Sequence, residues 1–452
     1  MEDQNTAMAR RIAQEVAAQG GRTFYVGGFV RDRLRGVENK DVDIEVHGVT
    51  PAQLEAILCV LGECVTMGAS FGVFGLRHYE LDIAMPRSES ATGRGHKDFA
   101  VFVDPFLGVR KAAQRRDFTI NALMEDVLTG EVIDSFGGIA DLHRGVIRHV
   151  NDASFAEDPL RVLRAAQFAA RFEYSIAPET VALCRGMDVS TLSRERVMGE
   201  LNKALLKAKR PSVFFEALRT MDKLSDWFPE LEALIGVEQD PVHHPEGDVW
   251  THTMLVLDAA ARLRAQANVP AGFMLSALCH DLGKAVALQR VDGRIHAYGH
   301  ETEGVPLAER FVKRLTDEKK LRAYVMSMVE LHMRPNMLVA NRAGEKAYMK
   351  VFDRSADAAD LLLLAKADHQ GRTVVAPYAQ TESILAEKYA LYRARMDAPG
   401  VRGTDLMAAG MSPGPAFREA LELAHKLQLA GVAREEALRQ VLGMQRRKHD
   451  SR

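Results

Sequence analysis

Residues 24–45, FYVGGFVRDRLRGVENKDVDIE, constrain the fold more than any other stretch of the chain. They predict a strand, a glycine turn, a helix and a second strand that carries Asp41 and Asp43. Side chains alternate along a strand, so these two carboxylates lie on one face and repel each other unless a cation lies between them. Mg²⁺ in proteins typically takes one or two carboxylates together with substrate phosphates. The stretch therefore predicts a magnesium site on the second strand.

A glycine pair, Gly27 and Gly28, ends the first strand, and a helix is expected to start near Phe29. Without Cβ atoms the backbone can approach a phosphate closely. The following helix offers free N–H groups and the positive end of its dipole, and Arg31 lies in its first turn. Together with the acidic pair, this turn predicts a nucleoside-triphosphate site with its metal.

A glycine pair or an acidic pair alone is common on protein surfaces, whereas GGxVRD followed by DxD is far more specific. The combination resembles the nucleotidyltransferase superfamily, in the branch of bacterial tRNA CCA-adding enzymes and poly(A) polymerases. A third carboxylate is needed if two metal ions are to be held. The family places an acidic residue five positions before an arginine, which is Asp82 before Arg87 here. Read alone, Asp82 is a solvent-facing residue of a strand predicted at residues 80–85. A strand is also predicted at residues 65–76, and the polar, glycine-containing stretch 87–98 predicts a mobile loop.

Two further motifs resemble the same family. RRDFTINA, residues 115–122, is similar to its second motif and implies that Arg116 contacts the nucleotide, for which a guanidinium fork is suited. EDPLRVLR, residues 157–164, is similar to its base-selecting motif. An aspartate accepts and an arginine donates hydrogen bonds, so Asp158 and Arg161 are expected to read the base edge, supported by Arg164.

The chain departs from the family pattern at one position of this helix. Many relatives have a further arginine three residues after Arg164, where this chain has Gln167. The substitution leaves open which nucleotides are added. A purely structural interpretation of residues 157–164 is also possible: a helix that starts with an aspartate cap and a proline at the first position, and that has a charged outer face.

Beyond residue 236 the chain becomes rich in histidine, with eight of its 15 histidines between His243 and His369. Imidazole and carboxylate groups together suit a transition metal or Mg²⁺, and such an ion would activate water for attack on a phosphate. The ordered set resembles HD-type phosphohydrolases, which implies a metal site formed by His252, His280, Asp281, His300, His332 and Asp368. Lys284 is expected to hold a phosphate, and His243 and His244 to line the mouth. The alternative is that this region mainly packs or docks RNA.

Composition limits the other possibilities. The 452 residues are 47% hydrophobic and 27% charged with a net charge of −2, so an RNA partner must be bound by local basic patches. Four cysteines, with neither zinc-site nor disulfide spacing, are typical of a reducing cytosol, and a cytoplasmic protein is expected. No signal-peptide pattern opens the chain, and no apolar run approaches the roughly 20 residues that span a membrane.

In this order the segments resemble a bacterial class II tRNA CCA-adding enzyme with an HD phosphohydrolase domain. The resemblance implies an α+β fold: a head with a small mixed sheet (residues 1–150), an all-α neck (151–235), an HD body (236–375) and a helical tail (376–452). It implies addition of C, C and A to tRNA 3′ ends from CTP and ATP, with Mg²⁺ in the head. The HD site would hold Ni, Mn, Co, Fe or Mg and cleave phosphoesters such as 2′,3′-cyclic phosphates.

Two other functions remain open at this stage. One is a poly(A) polymerase or an enzyme that adds only part of CCA, although the resembling poly(A) enzymes typically carry a basic RNA-binding extension instead of an HD domain. The other is a signalling phosphohydrolase with a nucleotide-sensing head. Either a monomer or a homodimer is expected. Arg446–Lys448, near the end of the chain, are expected to touch phosphate or to form a solvated terminus.

Overall fold

The computed structural model describes residues 3–66, 72–91, 99–374 and 377–450, without the side chains of residues 66, 88–91, 99–101 and 445–450. The chain forms two compact units, Met1–Ala204 with Val213–Lys223, and Leu205–Ser212 with Leu224–Arg452. The boundary between them falls within the predicted neck, and the four-domain division stays a prediction. The side chains of Arg446–Lys448 lie outside the described residues. Within the described residues, no helix combines the length and apolar character that a membrane crossing requires.

The first unit contains a mixed seven-stranded sheet, as predicted for the head. Its strand order is β3-β4-β5-β2-β1-β8-β9, with β2 and β5 parallel and the other neighbours antiparallel. The strands of this unit, in chain order, are β1 Arg22–Val26, β2 Val42–His47, β3 Cys64–Thr66, β4 Val73–Leu76, β5 Leu81–Ala84, β6 Arg87–Ala91, β7 Phe99–Val103, β8 Met124–Asp126, β9 Val132–Ile133, β10 Val146–Ile147 and β11 Ser175–Ile176.

An amphipathic N-terminal helix covers the sheet, as its apolar spacing predicts. Asp3 caps it by accepting a hydrogen bond from the Asn5 amide, and Met8, Ile12 and Val16 are buried in the core that includes β2 and β5. The helices of this unit are α1 Gln4–Ala18, α2 Gly28–Leu34, α3 Pro51–Leu61, α4 Val109–Gln114, α5 Gly138–Arg144, α6 Asp152–Ala156, α7 Leu160–Phe172, α8 Pro178–Arg185, α9 Arg194–Lys207 and α10 Ser212–Thr220.

Two local predictions in the head were wrong. Residues 65–76 do not form one strand, because β3 and β4 are separate antiparallel partners and Gly72, with φ +62°, precedes the second. The polar stretch 87–98 does not begin as a loop, since Arg87–Ala91 pairs with Phe99–Val103. Ladder hydrogen bonds are made by the backbone, so polar side chains do not prevent this pairing. Residues 92–98 of the predicted loop lie outside the described part.

The second unit is helical except for one short hairpin, β12 Gln289–Val291 with β13 Arg294–His296. The predicted α+β class with a mostly helical remainder is confirmed. The helices of the second unit are α11 Leu224–Trp227, α12 Pro229–Glu232, α13 Val249–Leu263, α14 Pro270–Cys279, α15 Lys284–Ala287, α16 His300–Leu315, α17 Lys319–Leu331, α18 Arg334–Ala340, α19 Glu345–Arg354, α20 Ala358–Gln370, α21 Ala379–Asp397, α22 Gly403–Ala408, α23 Pro415–Leu429 and α24 Arg434–Asp450.

A backbone contact brings the start of α16 against the turn after α14. A Cβ atom on Gly283 would lie 2.0 Å from the His300 carbonyl oxygen and 2.6 Å from the Gly304 amide nitrogen. Both neighbours are backbone atoms of a helix, which cannot rotate away. Only glycine therefore allows this approach.

We predict that Gly283→Ala destabilises the second unit by about 3 kcal/mol, because one of two backbone segments must shift. The matched control is Gly443→Ala, at a helical glycine with no atom within 4 Å of the added Cβ, which should be neutral or slightly stabilising. Denaturant unfolding of both variants measures the difference. Equal stabilities would contradict the steric argument.

Candidate active sites

Three carboxylates meet on one face of the head sheet. Asp43 on β2 and Asp82 on β5 are register partners in adjacent parallel strands, and Asp41 immediately precedes β2. Burial of Asp43 raises its pKa to about 6; the charges of Asp82 and Asp41 act in the same direction, and Arg116 opposes them. The ionised form of Asp43 is thus disfavoured by its surroundings. A divalent cation would offset that cost, so the residues present fit a magnesium site.

The glycine corner faces this acidic cluster. Gly27 has φ +66°, a left-handed conformation that favours glycine. A Cβ atom there would lie 3.2 Å from Arg116 Nη1 and 3.8 Å from Asp43 Oδ2. The corner, the carboxylate and the guanidinium therefore converge, as residues 24–45 and 115–122 predict.

Arg116 is held in place by an acidic partner that the sequence did not reveal. Its Nη2 donates to Glu45 Oε2 at 3.2 Å, and Glu45 Oε1 lies 2.8 Å from His47 Nε2. Burial alone would raise the pKa of Glu45, but the His47 and Arg116 contacts outweigh it and lower the pKa. Among the described residues, the buried Nε of Arg116 has no hydrogen-bond partner. Glu45 follows Asp43 by two residues on the same strand face, and this alternation was the available signal.

Arg31 lies inside the head rather than at its surface. Its Nε and Nη2 donate to the two carboxylate oxygens of Asp32 at 2.9 and 2.8 Å, and its Nη1 donates to Asn121 Oδ1 at 2.7 Å. The side chain is 5% exposed and stacks on Phe172. These contacts tie α2 to residues 119–121, and the predicted contact of Arg31 with a triphosphate stays a prediction.

Residues 157–164, which are expected to select the base, are ordered by contacts from two sides. Asp158 Oδ1 accepts a hydrogen bond from the Leu160 amide at the start of α7, and Arg196 Nη2 lies 2.7 and 3.0 Å from its two oxygens. Arg161 donates from Nη1 to the Ser154 carbonyl oxygen at 2.6 Å and from Nη2 to that of Arg115 at 2.7 Å. The helix begins at Leu160, one residue later than expected, with Pro159 rather than Asp158 at the cap position, and its polar side chains already have defined orientations.

Residues 193–206 resemble the helix that braces the site in the family, and in the structure α9 holds the third residue of this motif through polar side chains that the sequence did not single out. Arg164 Nε donates to Asp117 Oδ2 at 2.8 Å, and its Nη1 lies 3.8 Å from Glu200, which in turn accepts from Lys203 at 2.8 Å. The available signal was the helical spacing of Arg196, Glu200 and Lys203, which places them on one face of α9. Gln167 is 1% exposed, and its buried Nε2 has no partner within the described residues.

In the second unit, the histidines of the HD pattern converge on one carboxylate. Asp281 Oδ1 lies 3.2 Å from His300 Nε2 and 3.6 Å from His332 Nε2, while its Oδ2 lies 3.2 Å from His280 Nε2 and 3.6 Å from His252 Nε2. Two groups of possible metal ligands share it: His252 with His280, and His300 with His332. Asp281 therefore stands between two candidate ion positions.

The ring nitrogens of three of these histidines are prepared for metal binding. The Nδ1 atoms of His280, His300 and His332 each lie 2.7–2.8 Å from the carbonyl oxygen three residues earlier. A carbonyl only accepts, so Nδ1 carries the proton and the Nε2 lone pair faces Asp281. Within the described residues, these Nε2 atoms and Asp281 Oδ1 are buried without hydrogen-bond partners, while Asp281 Oδ2 lies 2.7 Å from Lys284 Nζ. Lone pairs facing a carboxylate repel each other, and a divalent cation resolves this.

The fourth histidine is held differently. His252 Nε2 lies 3.1 Å from Asp368 Oδ1, and its Nδ1 lies 2.7 Å from Glu246 Oε1, which is also 2.9 Å from His244 Nδ1. Burial raises the pKa of Glu246, but its two histidine contacts dominate and lower it to about 2, so it is ionised at neutral pH. Sequence reasoning missed Glu246, although a carboxylate six residues before a ligand histidine was a usable signal.

A cavity of about 350 Å³ opens onto this cluster. Lys284 lies on its wall, where Nζ is 2.7 Å from Asp281 Oδ2 and donates to Gln239 Oε1 at 2.7 Å. His243 and His244 line the cavity, as predicted, and Arg372 is a lining cation that the sequence did not single out. The ordered set of six residues predicted from the HD pattern is thus brought together beside a cavity of ligand size.

Comparison with known proteins gives consistent results. A model of the poly A polymerase head domain matches residues 23–148. The chain is 37% identical over 429 residues to the multifunctional CCA protein of Cupriavidus metallidurans, covering 91% of this chain and 97% of that protein. It is 38% identical over 409 residues to the protein of the same name from Nitrosococcus oceani, covering 88% of this chain and 95% of that one.

Solved structures with a similar fold include two CCA-adding enzymes. The Bacillus stearothermophilus enzyme in complex with CTP has a TM-score of 0.67 at 20% identity and covers 100% of both chains. The Thermotoga maritima enzyme complexed with tRNA has a TM-score of 0.63 at 21% identity and covers 98% of this chain and 96% of that one. At this identity the likeness concerns the fold alone.

The raised pKa of Asp43 predicts a pH-dependent cost in the metal-free protein. The pKa of Asp43 is about 6 in the folded state, against 3.8 for an ordinary aspartate side chain. The free energy of unfolding therefore falls as pH rises from about 4 to 6. We expect Asp43→Asn to be more stable than wild type by roughly 1–2 kcal/mol at pH 8 in EDTA, after discounting for partial exposure, with no difference near pH 4. Denaturant unfolding at both pH values measures this, and a less stable variant at pH 8 would contradict it.

Proposed function

The chain belongs to the family of multifunctional CCA proteins, which are CCA-adding tRNA nucleotidyltransferases, and from this premise we propose how its residues divide the work. The first unit adds C, C and A to tRNA 3′ ends from CTP and ATP without a template. The convergence of Gly27, Asp43 and Arg116 is the observation that carries this proposal. Relatives of similar fold have been solved with CTP and with tRNA.

In this proposal Asp41 and Asp43 hold two Mg²⁺ ions with the help of Asp82. Bound Mg²⁺ supplies the positive charge that activates the RNA 3′-hydroxyl and neutralises the triphosphate. The glycine corner, Gly27 and Gly28, lets the triphosphate lie against the backbone at the start of α2.

Arg116, fixed by Glu45, directs its remaining N–H groups at triphosphate oxygens. The 3′-hydroxyl oxygen bonds to the α-phosphorus, the bond to pyrophosphate breaks in line, and the hydroxyl proton is released. This reaction requires positioning and charge neutralisation rather than a covalent intermediate.

Base choice falls to Asp158 and Arg161. Arg161 uses two of its five N–H donors in hydrogen bonds to the backbone carbonyls of Ser154 and Arg115, which fix the guanidinium plane. Arg196 holds the Asp158 carboxylate through both oxygens, which orients it as an acceptor for a base amino group. Arg164 supports the pair through Asp117.

For the second unit we propose a phosphohydrolase, of the 2′,3′-cyclic phosphodiesterase and phosphatase type. The three bare Nε2 atoms around Asp281 favour a divalent ion, Ni, Mn, Co, Fe or Mg, held by His252, His280, Asp281, His300, His332 and Asp368. Such an ion supplies positive charge for the attack of water on phosphorus. Lys284 binds a phosphate oxygen, and the cleaved ribose oxygen leaves with a proton. This division of labour fits a cytoplasmic enzyme of tRNA maturation and repair.

The first test is incubation with tRNA that lacks its 3′ end and each labelled triphosphate in turn. Two additions from CTP followed by one from ATP are expected, and Asp43→Ala should lower kcat/KM about 1,000-fold because a metal ligand is lost. Glu131→Ala, an exposed carboxylate at the sheet edge, is the matched control. Repeated addition from ATP alone would identify a poly(A) polymerase, and incorporation that survives Asp43→Ala would exclude the metal assignment.

The second test separates the two activities. A double variant, His280→Ala with Asp281→Ala, should lose at least 100-fold in hydrolysis of nucleoside 2′,3′-cyclic phosphates and bind less Ni²⁺ or Mn²⁺, because shared ligands are removed. Nucleotide addition should stay within about twofold of wild type. His425→Ala, an exposed histidine elsewhere in the unit, serves as control. Loss of both activities would show that the cluster is needed for folding instead.

A further inference from the structure

A single side chain, Asn39, links the residue before β2 to a buried carboxylate on α2. Its Oδ1 accepts a hydrogen bond from the Asp41 amide at 3.0 Å, and its Nδ2 donates to Asp32 Oδ2 at 3.0 Å. The first bond closes a local turn over two residues, as asparagine side chains commonly do. The second reaches back seven positions along the chain. Asn39 therefore connects the backbone of a candidate metal ligand to the interior of the head.

The end of this link at Asp32 is firmly held. Asp32 is 8% exposed, and Arg31 donates to both of its carboxylate oxygens, at 2.9 and 2.8 Å. Arg31 also donates to Asn121 Oδ1 at 2.7 Å, and Asn121 Nδ2 donates to Asp117 Oδ1 at 3.0 Å. The other oxygen of Asp117 accepts from Arg164 Nε at 2.8 Å. Each of the two carboxylates in this series has a guanidinium partner, which offsets the cost of burying its charge and fixes its orientation.

The end of the link at Asp41 is less constrained. Pairing of β2 with β5 begins where Val42 opposes Leu81, so Asp41 lies one residue outside the ladder that fixes Asp43. The side chain of Asp41 is exposed. Its charge acts on Asp43, and the two carboxylates repel each other when no ion lies between them. Without a second restraint, this repulsion favours conformations that carry the Asp41 carboxylate away from Asp43.

The link also lies against the glycine corner. A Cβ atom on Gly28 would be 3.5 Å from Arg31 Nη2 and 3.8 Å from Asn39 Nδ2. These are the two nitrogens that donate to Asp32 Oδ2. The same few side chains therefore set the position of Asp41 relative to the backbone of the corner, and a metal–triphosphate complex would have to contact both.

We propose that Asn39 is a positioning residue for nucleotidyl transfer: it ties the backbone of Asp41 to the buried pair of Arg31 and Asp32, so that the Asp41 carboxylate faces the ion site before an ion binds. The proposal rests on the proposed nucleotidyl transfer and adds a residue to its metal site. Loss of an outer partner that orients a metal ligand typically lowers metal affinity by about 10- to 100-fold. Because Asn39 acts through Asp41, its loss should weaken metal binding and leave the reaction of the loaded enzyme largely unchanged.

The first test follows CTP incorporation by the full chain, into tRNA that lacks its 3′ end, as the Mg²⁺ concentration is varied. Asn39→Ala should raise the Mg²⁺ concentration for half-maximal rate about tenfold, with kcat at saturating Mg²⁺ within about twofold of wild type. Val37→Ala, in the same loop with its side chain 48% exposed, is the matched control and should behave as wild type. A lower kcat with an unchanged half-maximal Mg²⁺ concentration would overturn the proposal.

Two measurements without turnover accompany the kinetics. Calorimetric titration with CTP, in Mg²⁺ and again in EDTA, should show weaker binding by Asn39→Ala in Mg²⁺ and unchanged binding in EDTA. Hydrogen–deuterium exchange of the metal-free chain should be faster in the Asn39→Ala peptide that contains the Asp41 amide, because that amide has lost its acceptor. Val37→Ala should match wild type in both measurements.

These measurements separate failure of the proposal from failure of the proposed function. CTP binding by the wild type that does not depend on Mg²⁺ would remove the metal site itself. Mg²⁺-dependent binding that Asn39→Ala leaves unchanged would overturn only the role of Asn39. Equal weakening in Mg²⁺ and in EDTA would also overturn it, by assigning Asn39 to the shape of the glycine corner. Unchanged exchange of the Asp41 amide would show that Asn39 does not hold that backbone, and would overturn the proposal as well.

Discussion

The head depends on a repulsion that the backbone enforces. Parallel pairing of β2 with β5 puts Asp43 beside Asp82, and the chain cannot relax this pairing without losing the ladder hydrogen bonds that join the two strands. Burial and the neighbouring charges together raise the Asp43 pKa to about 6. Arg116 relieves only part of the repulsion. The fold therefore holds an excess of negative charge beside the glycine corner. Divalent metal ions that bind together with a triphosphate would supply the missing positive charge.

The second unit also buries a carboxylate, Asp281, but surrounds it with histidine nitrogens rather than with other carboxylates. The residues around Asp281 come from the ends of several helices, and three carbonyl oxygens fix histidine rings so that their lone pairs face its carboxylate. Burial raises the pKa of Asp281, but His280 and Lys284 outweigh it and hold the pKa well below its usual range, so the carboxylate is ionised. Both units thus bury carboxylates that their own cations, Arg116 and Lys284, neutralise only in part, and divalent ions would offset the remaining cost. In the first unit, our proposal assigns the choice of base to the neighbouring polar pair, Asp158 and Arg161.

Sequence reasoning predicted most of the fold and named the residues that are expected to bind metal, because both follow from local sequence patterns. Alternation along β2 and the glycine turn before α2 place Asp41, Asp43 and Gly27 without tertiary information. Residues whose role depends on distant partners were missed. Glu45 matters because Arg116 reaches it from 71 positions away, and Arg196 because its helix packs beside Asp158. The hairpin at Arg87–Ala91 was mistaken for a loop because backbone pairing leaves no hydrophobic alternation to detect.

The central claim is that the acidic cluster and the glycine corner bind one metal–triphosphate complex. A crystal structure of the full chain soaked with CTP and Mn²⁺ tests it most directly, since anomalous scattering locates Mn²⁺ independently of the protein. The account predicts Mn²⁺ coordinated by Asp41 and Asp43, with triphosphate oxygens against Gly28 and within hydrogen-bond reach of Arg116. A triphosphate bound away from that corner, or Mn²⁺ without either aspartate as a ligand, would contradict it.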